Sequence, residues 1–497
     1  MAVSGSEKKN ILRATVQSTF WIYAATYSGK LMVFLSTVIL ARLLTEADFG
    51  LAGYALVVIG FLDVLHDLGV GRALIYYDDT PRTRDTAFWT SLAVGMGLFL
   101  IVWVGAPLVG AYFNDMRSVP MTRALGLTFP FSAVSNVHNA LLSKHLNFKQ
   151  KFIPDLVRST SKGALSIALA WMGFGAWSLV WGQVGGTAVS IFAYFLVLRW
   201  RPRLRFDREM LRPLMGFGLN VVAVDSLGVV FNNVDYLLVG RYLGAAALGI
   251  YSVAFRVPEL LVKTLVNNVS TVLFPAFSKM KDDSEALKST FLVAMRTVTM
   301  ATIPIALGLA AVARPLTLVL FTERWAEAIP VMAAISIYTM IRSWTFNIGA
   351  VYRAQGRPEI LTRLSIVKLA VLIPSLWWAV AVEGSIYAVG WTQVANAVFA
   401  GVLNLVVAAR VLNLPALTVL GTIWPAAVSG TIMTGVVLLV IELLGGYPPL
   451  VQLIAAVAAG VPVYAGGLWW LERDFMLKTG SKLLAVLKRR RAAQQPG

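Results

Sequence analysis

Runs of about twenty mostly apolar residues recur from one end of this chain to the other, broken only by short polar links. A helix of that length spans the hydrocarbon core of a bilayer, about 30 Å. The runs do not alternate apolar and polar residues in ten-residue segments, which argues for helices and against an outer-membrane barrel. Over 497 residues, 58% are hydrophobic and 14% charged, and the mean hydropathy is +0.72. Together these define an all-α polytopic membrane protein.

Breaking the chain at its polar links gives about fourteen spans, at 17–41, 48–66, 86–110, 121–142, 158–173, 176–198, 214–239, 246–274, 290–313, 326–350, 362–382, 385–409, 416–443 and 449–471. Alternate links differ sharply in charge. One set holds Arg72, Arg82, Arg84, Lys144, Lys149, Lys151, Arg158, Lys162, the arginines from Arg199 to Arg212, Lys279, Lys281, Lys288, Arg296, Arg353, Arg357, Arg363, Lys368, Arg410 and the tail from Arg473 to Arg491. The other holds Arg42, Arg117, Arg123, Arg241, Arg314 and Arg324. By the positive-inside rule the span number is even and both termini are cytoplasmic. The net charge of +18 is then explained by membrane orientation rather than by nucleic acid. Lys8, Lys9 and Arg13 precede the first run, which has no small-residue cleavage site before Arg42 and reads as a retained span rather than a signal peptide.

The largest link, Arg199 to Pro213, is the natural lobe boundary. An internal repeat supports it. Ile39 to Leu44 followed by Phe49-Gly50-Leu51 aligns with Leu238 to Leu243 followed by Leu248-Gly249-Ile250, at an offset of 199 (249 less 50). Trp181-Gly182-Gln183-Val184 is echoed by Trp391-Thr392-Gln393-Val394. The expected organisation is an N-lobe at 1–200, a C-lobe at 201–410, two further spans at 411–472 and a basic cytoplasmic tail at 473–497. Six spans return the chain to its starting side, so the two six-helix lobes form a parallel repeat about an axis along the membrane normal. The tail, with Lys478, Lys482 and Lys488 to Arg491 among leucines, reads as a basic amphipathic helix.

Charged residues inside spans are costly in lipid and so face protein or water. Arg256, Glu259, Lys263 and Asn267, spaced three, four and four, share one face of an α-helix. Lys30 in the first span and Arg342 in the tenth are further cations, the latter on a face with Ser336, Thr339, Phe346 and Gly349. These four cations, Arg342, Lys30, Arg256 and Lys263, are the substrate-binding candidates; the competing readings are an internal Arg256–Glu259 ion pair and snorkelling. Asp225 in the seventh span is the candidate ion-coupling carboxylate. Asp63 and Asp67, four apart with His66 between them at the end of the second span, are gate candidates, unless they serve as an ordinary helix end paired with Arg72. Most tryptophans near span ends, Trp89 among them, read as interfacial belts. Without cysteine and with three scattered histidines, no metal site, disulfide or cofactor is expected.

Several stretches resemble a known family: Phe49 to Ile75, Leu142 to Gln150, Gly173 to Gln183, Leu273 to Asp283, Phe321 to Val331 and Arg342 to Trp344. In order and spacing, through about residue 410, the set is similar to the Wzx-type polysaccharide flippases of the multidrug/oligosaccharidyl-lipid/polysaccharide exporter superfamily, most closely their colanic-acid exporter branch. The resemblance implies a two-lobed, MATE/MurJ-like transporter of fourteen helices. Its implied substrate is an undecaprenyl-diphosphate-linked oligosaccharide turned from the cytoplasmic to the periplasmic leaflet of the bacterial inner membrane for lipopolysaccharide, capsule or exopolysaccharide synthesis, beside a polymerase and a chain-length regulator. A carrier of that diphosphate needs lumenal cations. The alternatives are a multidrug or cation antiporter of the same fold and a membrane glycan polymerase or ligase. An antiporter should show an acidic cavity, and an enzyme a long catalytic loop with paired acids; Asp78-Asp79 and Asp282-Asp283 lie in basic links and read as turns.

Overall fold

A computed structural model describes residues 27–66, 68–76, 79–266, 277, 280, 283–345, 348–357 and 359–492, with the side chains at 212–225, 227, 263, 416 and 478–492 lying outside the described residues. All regular structure among the described residues is helical. The helices are α1 (27–43), α2 (Glu46–His66), α3 (Val70–Tyr76), α4 (Pro81–Phe113), α5 (Ser118–Gly126), α6 (Thr128–Lys144), α7 (Phe148–Trp171), α8 (Ala176–Val197) and α9 (Arg208–Pro258). After a π-helical turn, Glu259–Lys263, follow α10 (Ser284–Ala311), α11 (Ala313–Leu320), α12 (Ala328–Thr345), α13 (Ile348–Ala354), α14 (Glu359–Ala381), α15 (Ile386–Val411), α16 (Ala416–Gly421), α17 (Trp424–Leu443) and α18 (Pro449–Ala492). Gly244, at φ 84 and ψ −175, breaks α9 into two helices. With that break there are fourteen long helices among the described residues, one for each expected span. Nine described segments are long and apolar enough to cross a membrane; one of them, Gly228–Val266, runs through the Gly244 break. The chain is a multi-pass membrane protein with the all-α architecture expected from its apolar runs.

Local chemistry sets the helix ends. Thr45 and Asp48 form a reciprocal cap at the start of α2, with the Thr45 amide donating to Asp48 Oδ2 at 2.9 Å and the Asp48 amide to Thr45 Oγ1 at 3.2 Å. Asp48 Oδ1 also accepts from the Ala176 amide at 3.0 Å, which ties the head of α8 to that of α2. Thr80 caps α4 ahead of Pro81, and Asn114 closes it in the left-handed region, φ 55. Asp283 caps α10, accepting from the Ala286 amide at 2.9 Å, as its turn position predicts. Asp79 is clasped by Arg84, Nη2 to Oδ2 at 2.7 Å, and by His145 at 3.0 Å, so this acid is structural.

Contacts group the chain into two compact units, one of residues 1–253 with 376–386, the other of 254–375 with 387–497. This grouping follows packing and does not test the six-span lobes. In the first unit α7 and α8 lie closest: Gly182 faces Ser166, and Gly186 faces the backbone of Arg158 and Lys162. Gly29 and Ser36 of α1 meet Ser159 and Gly163 of α7. In the second unit Gly390 and Gly401 of α15 pack on Ala334 and Ile341 of α12. Glu472 leaves helical geometry, φ −135, and separates the last span from the tail helix, which continues to Ala492. There Glu472 accepts from Arg296 at 3.2 Å.

Candidate substrate-path residues

In the second unit, Arg342 stands in the last turn of α12, half-buried, its Nη1 donating to the Tyr338 hydroxyl at 2.8 Å. Its guanidinium also lies 5.8 Å from the Tyr338 ring centre, and Tyr338 meets Phe255 edge-on at 6.1 Å. Four-residue spacing brings Arg342 and Tyr338 together on one helix face, where the aromatic fixes an otherwise mobile side chain. Of the hydroxyls expected on that face, Ser336 is buried and turns back to the Met332 carbonyl at 2.7 Å, while Thr339 donates to the Ser336 carbonyl at 2.9 Å. Their polarity is therefore largely consumed within the helix, and Arg342 supplies the charge. Phe346 lies outside the described residues.

A second cation belongs with it. Lys368 is ten residues into α14, its ammonium donating to Asn404 Oδ1 of α15 at 2.9 Å, and the Arg342 charge acts on it electrostatically. Lys368 and Arg342 are thus two cations of one unit, bonded to the Asn404 amide and the Tyr338 hydroxyl respectively. Sequence reasoning assigned Lys368 to a polar link. The available signal was its position six residues inside the expected span that begins at 362, together with Asn404 on the next span.

The eighth span differs from the α-helical expectation. Pro258 lacks an amide hydrogen, and the turn that follows it, Glu259–Lys263, is π-helical. A π turn holds more residues per turn than an α turn, so the helical register after Pro258 differs from the α-helical one assumed for this span. Arg256 is exposed and Glu259 half-buried; the Lys263 side chain and Asn267 lie outside the described residues.

In the first unit Lys30 is half-buried on α1, next to Gly29 where α1 meets Ser159 of α7. One turn before Ser159 on α7 stands Asp155, whose Oδ1 accepts from the Tyr194 hydroxyl of α8 at 3.0 Å. Asp155 precedes the expected fifth span by three residues, and burial pushes its carboxyl above the usual range, opposed by Lys151, Tyr194 and Arg158. Sequence reasoning passed over it because single acids near basic residues look like link charges. The Asp225 and Asp67 side chains lie outside the described residues, and Asp63 is exposed on the last turn of α2. Asp235 is buried and bound by the Tyr251 hydroxyl at 2.8 Å, joining the two helices of α9 across the Gly244 break.

These features, fourteen long helices among the described residues with charged side chains inside the expected spans, define an all-α polytopic membrane protein. The polysaccharide biosynthesis protein family matches residues 39–330, and the chain belongs to that family. It is 25% identical over 467 residues to the succinoglycan biosynthesis transport protein ExoT of Rhizobium meliloti (strain 1021), covering 93% of each chain. It is 26% identical to the lipopolysaccharide biosynthesis protein WzxC of Escherichia coli (strain K12), over 73% of this chain and 74% of that one. The teichuronic acid biosynthesis protein TuaB of Bacillus subtilis (strain 168) is 28% identical over 67% of this chain and 69% of its own. Among solved structures, the lipid II flippase MurJ in an inward closed conformation superposes with a TM-score of 0.72 at 15% identity, covering 91% of this chain and 99% of that one. An inward-facing multidrug resistance MATE family transporter of the MOP superfamily gives 0.63 at 15% identity, over 77% and 94%. The fold is thus the one shared by that flippase and that MATE transporter, and the sequence family is that of the polysaccharide biosynthesis proteins.

Proposed function

We propose that the chain flips undecaprenyl-diphosphate-linked oligosaccharide repeat units from the cytoplasmic to the periplasmic leaflet of the bacterial inner membrane. The observation that carries this reading is the Lys368–Arg342 pair: two cations on spans of one unit, the lysine held by the neutral Asn404. A diphosphate is the kind of charge such a pair attracts across an apolar barrier. Lys30 would add a cation on the first lobe, with Arg256 and Lys263 near the π turn. Transport proceeds by rocking of two six-helix lobes, 1–200 and 201–410, about a midplane site, with residues 411–472 and the basic tail 473–497 outside the repeat and both termini cytoplasmic. Asp225 is proposed for ion coupling, and Asp63 with Asp67 for gating. No bond of the substrate is made or broken, and a polymerase and a chain-length regulator act on the product.

The test is leaflet-resolved accumulation of the lipid-linked repeat unit in cells with and without the gene. Build-up in the cytoplasmic leaflet with loss of surface polymer is the expected result. Unpolymerised repeat units accumulating in the periplasmic leaflet would show transport intact and sink the reading.

A further inference from the structure

The link between α8 and α9 is more than a passive connection. Residues 198–207 are pinned from beneath onto the ends of α4 and α6. The His138 Nε2–H donates to the Trp200 carbonyl at 3.3 Å, and the Trp89 indole N–H to the Arg203 carbonyl at 2.9 Å. The Arg203 amide donates to Asp85 Oδ1 at 3.1 Å, and the Asp207 amide to Thr86 Oγ1 at 3.1 Å. Asp85 is buried and Trp200 sits edge-on to Phe88 and His138, at 6.0 and 5.2 Å, so one side of the strap belongs to the core. Trp89, expected in an interfacial belt, thus also holds the strap.

The other side is unlike an ordinary positively charged link. With the backbone held, Arg199, Arg201, Arg203, Arg205 and Arg208 are all exposed, and between them Leu204 and Phe206 are 90% and 52% exposed. Orientation by charge explains the arginines but not a leucine and a phenylalanine displayed among them. Guanidinium groups interleaved with apolar side chains fit a surface that carries anions above hydrocarbon. The strap is also held near such a surface, because α8 at one end is long and apolar enough to cross a membrane and α9 at the other carries the expected seventh span, 214–239.

We propose that the strap is a membrane-docking element that binds the anionic phospholipid headgroups of the leaflet it borders, through Arg201, Arg203 and Arg205, with Leu204 and Phe206 entering the interface. The anionic leaflet attracts the arginines within a Debye length, and the two apolar side chains hold the strap once it has arrived. The inference goes beyond the transport reading and stands without it, because it requires only that the flanking helices span the bilayer.

The chain contains no cysteine, so one introduced thiol is a unique probe. The full-length Phe206→Cys protein is labelled with an environment-sensitive fluorophore and placed in nanodiscs of phosphatidylcholine, with or without phosphatidylglycerol. In the anionic discs the label should be quenched by doxyl lipid and shielded from iodide, on the order of tenfold more than in phosphatidylcholine alone. The same label in an Arg201→Gln, Arg203→Gln, Arg205→Gln background should lose that difference. The substituted side chains are exposed, the anchoring bonds at Arg203 use its backbone, and Arg201 gives up only its place over the Phe195 ring at 4.7 Å, so the fold is retained; a monodisperse elution profile checks this. Equal iodide access in both disc types would overturn the proposal and point to an acidic protein partner. Shielding reproduced in phosphatidylcholine discs by inorganic phosphate would also overturn it, in favour of a free-anion site.

Discussion

Gly50 and Gly249 meet backbone to backbone. A methyl group on Gly249 would stand 1.9 Å from the Glu46 carbonyl oxygen and 3.1 Å from the Gly50 nitrogen, and one on Gly50 would stand 1.7 Å from the Ala245 carbonyl oxygen. The offset between Glu46 and Ala245 is 199 (245 less 46), the same as between Gly50 and Gly249. Exchanging the two copies of the repeat therefore maps the contact onto itself, the behaviour of a two-fold relation.

Neither partner can yield, since the Ala245 and Glu46 atoms in the way are main chain rather than the ends of flexible side chains. Gly50→Ala and Gly249→Ala should each destabilise the detergent-solubilised protein by about 1–3 kcal/mol. Thermal unfolding monitored by fluorescence-detected size exclusion measures this, and an unchanged midpoint for both would show that the helices part without cost.

Lys368→Met keeps the length of the side chain and removes its charge. Polymer export should fall at least tenfold with the protein still inserted and abundant, because the anion-favouring pair is halved. Asn404→Ala should cost less, since it removes the anchor and leaves the ammonium. Arg342→Ala and Lys30→Ala should likewise abolish export, and Arg342→Lys should restore part of it if charge alone matters. Normal export from all of the charge-removing variants would end the cationic-path idea.

Burial raises the Asp155 carboxyl, so the folded protein holds this proton more tightly than the unfolded chain does. Stability contributed by the neutral acid is complete below the unfolded pKa and declines as pH rises through the folded one. Asp155→Asn retains an acceptor for Tyr194 and removes the titration. Its melting temperature should equal or exceed that of the parent at pH 8, with the advantage disappearing near pH 4. Differential scanning across that range decides it; a variant less stable at pH 8 would mean the charged carboxylate is the favoured form.

Tyr251→Phe leaves the buried Asp235 without its 2.8 Å donor across the Gly244 break. A loss of about 1–3 kcal/mol is expected for removing the donor to that buried carboxylate oxygen, larger than for the removal of an exposed hydroxyl. Thermal unfolding of Tyr251→Phe beside an exposed control, Tyr447→Phe, reads the difference.

The apolar runs by themselves determined that the chain is helical, multi-pass and divided into fourteen segments, because a backbone in lipid must satisfy its own hydrogen bonds and the bilayer fixes the length over which it does so. Sequence also carried the 199-residue repeat and the cationic character of the spans, since both are written in residue identities. Tertiary structure decided what periodicity cannot reach. Pro258, which lacks an amide hydrogen, precedes a π turn, Lys368 finds Asn404 thirty-six residues on, and Asp85 reaches the Arg203 backbone from more than a hundred residues away. Burial and pairing depend on neighbours distant in sequence, so a charge that reads as a link residue in one dimension becomes a held cation or a structural anchor in three.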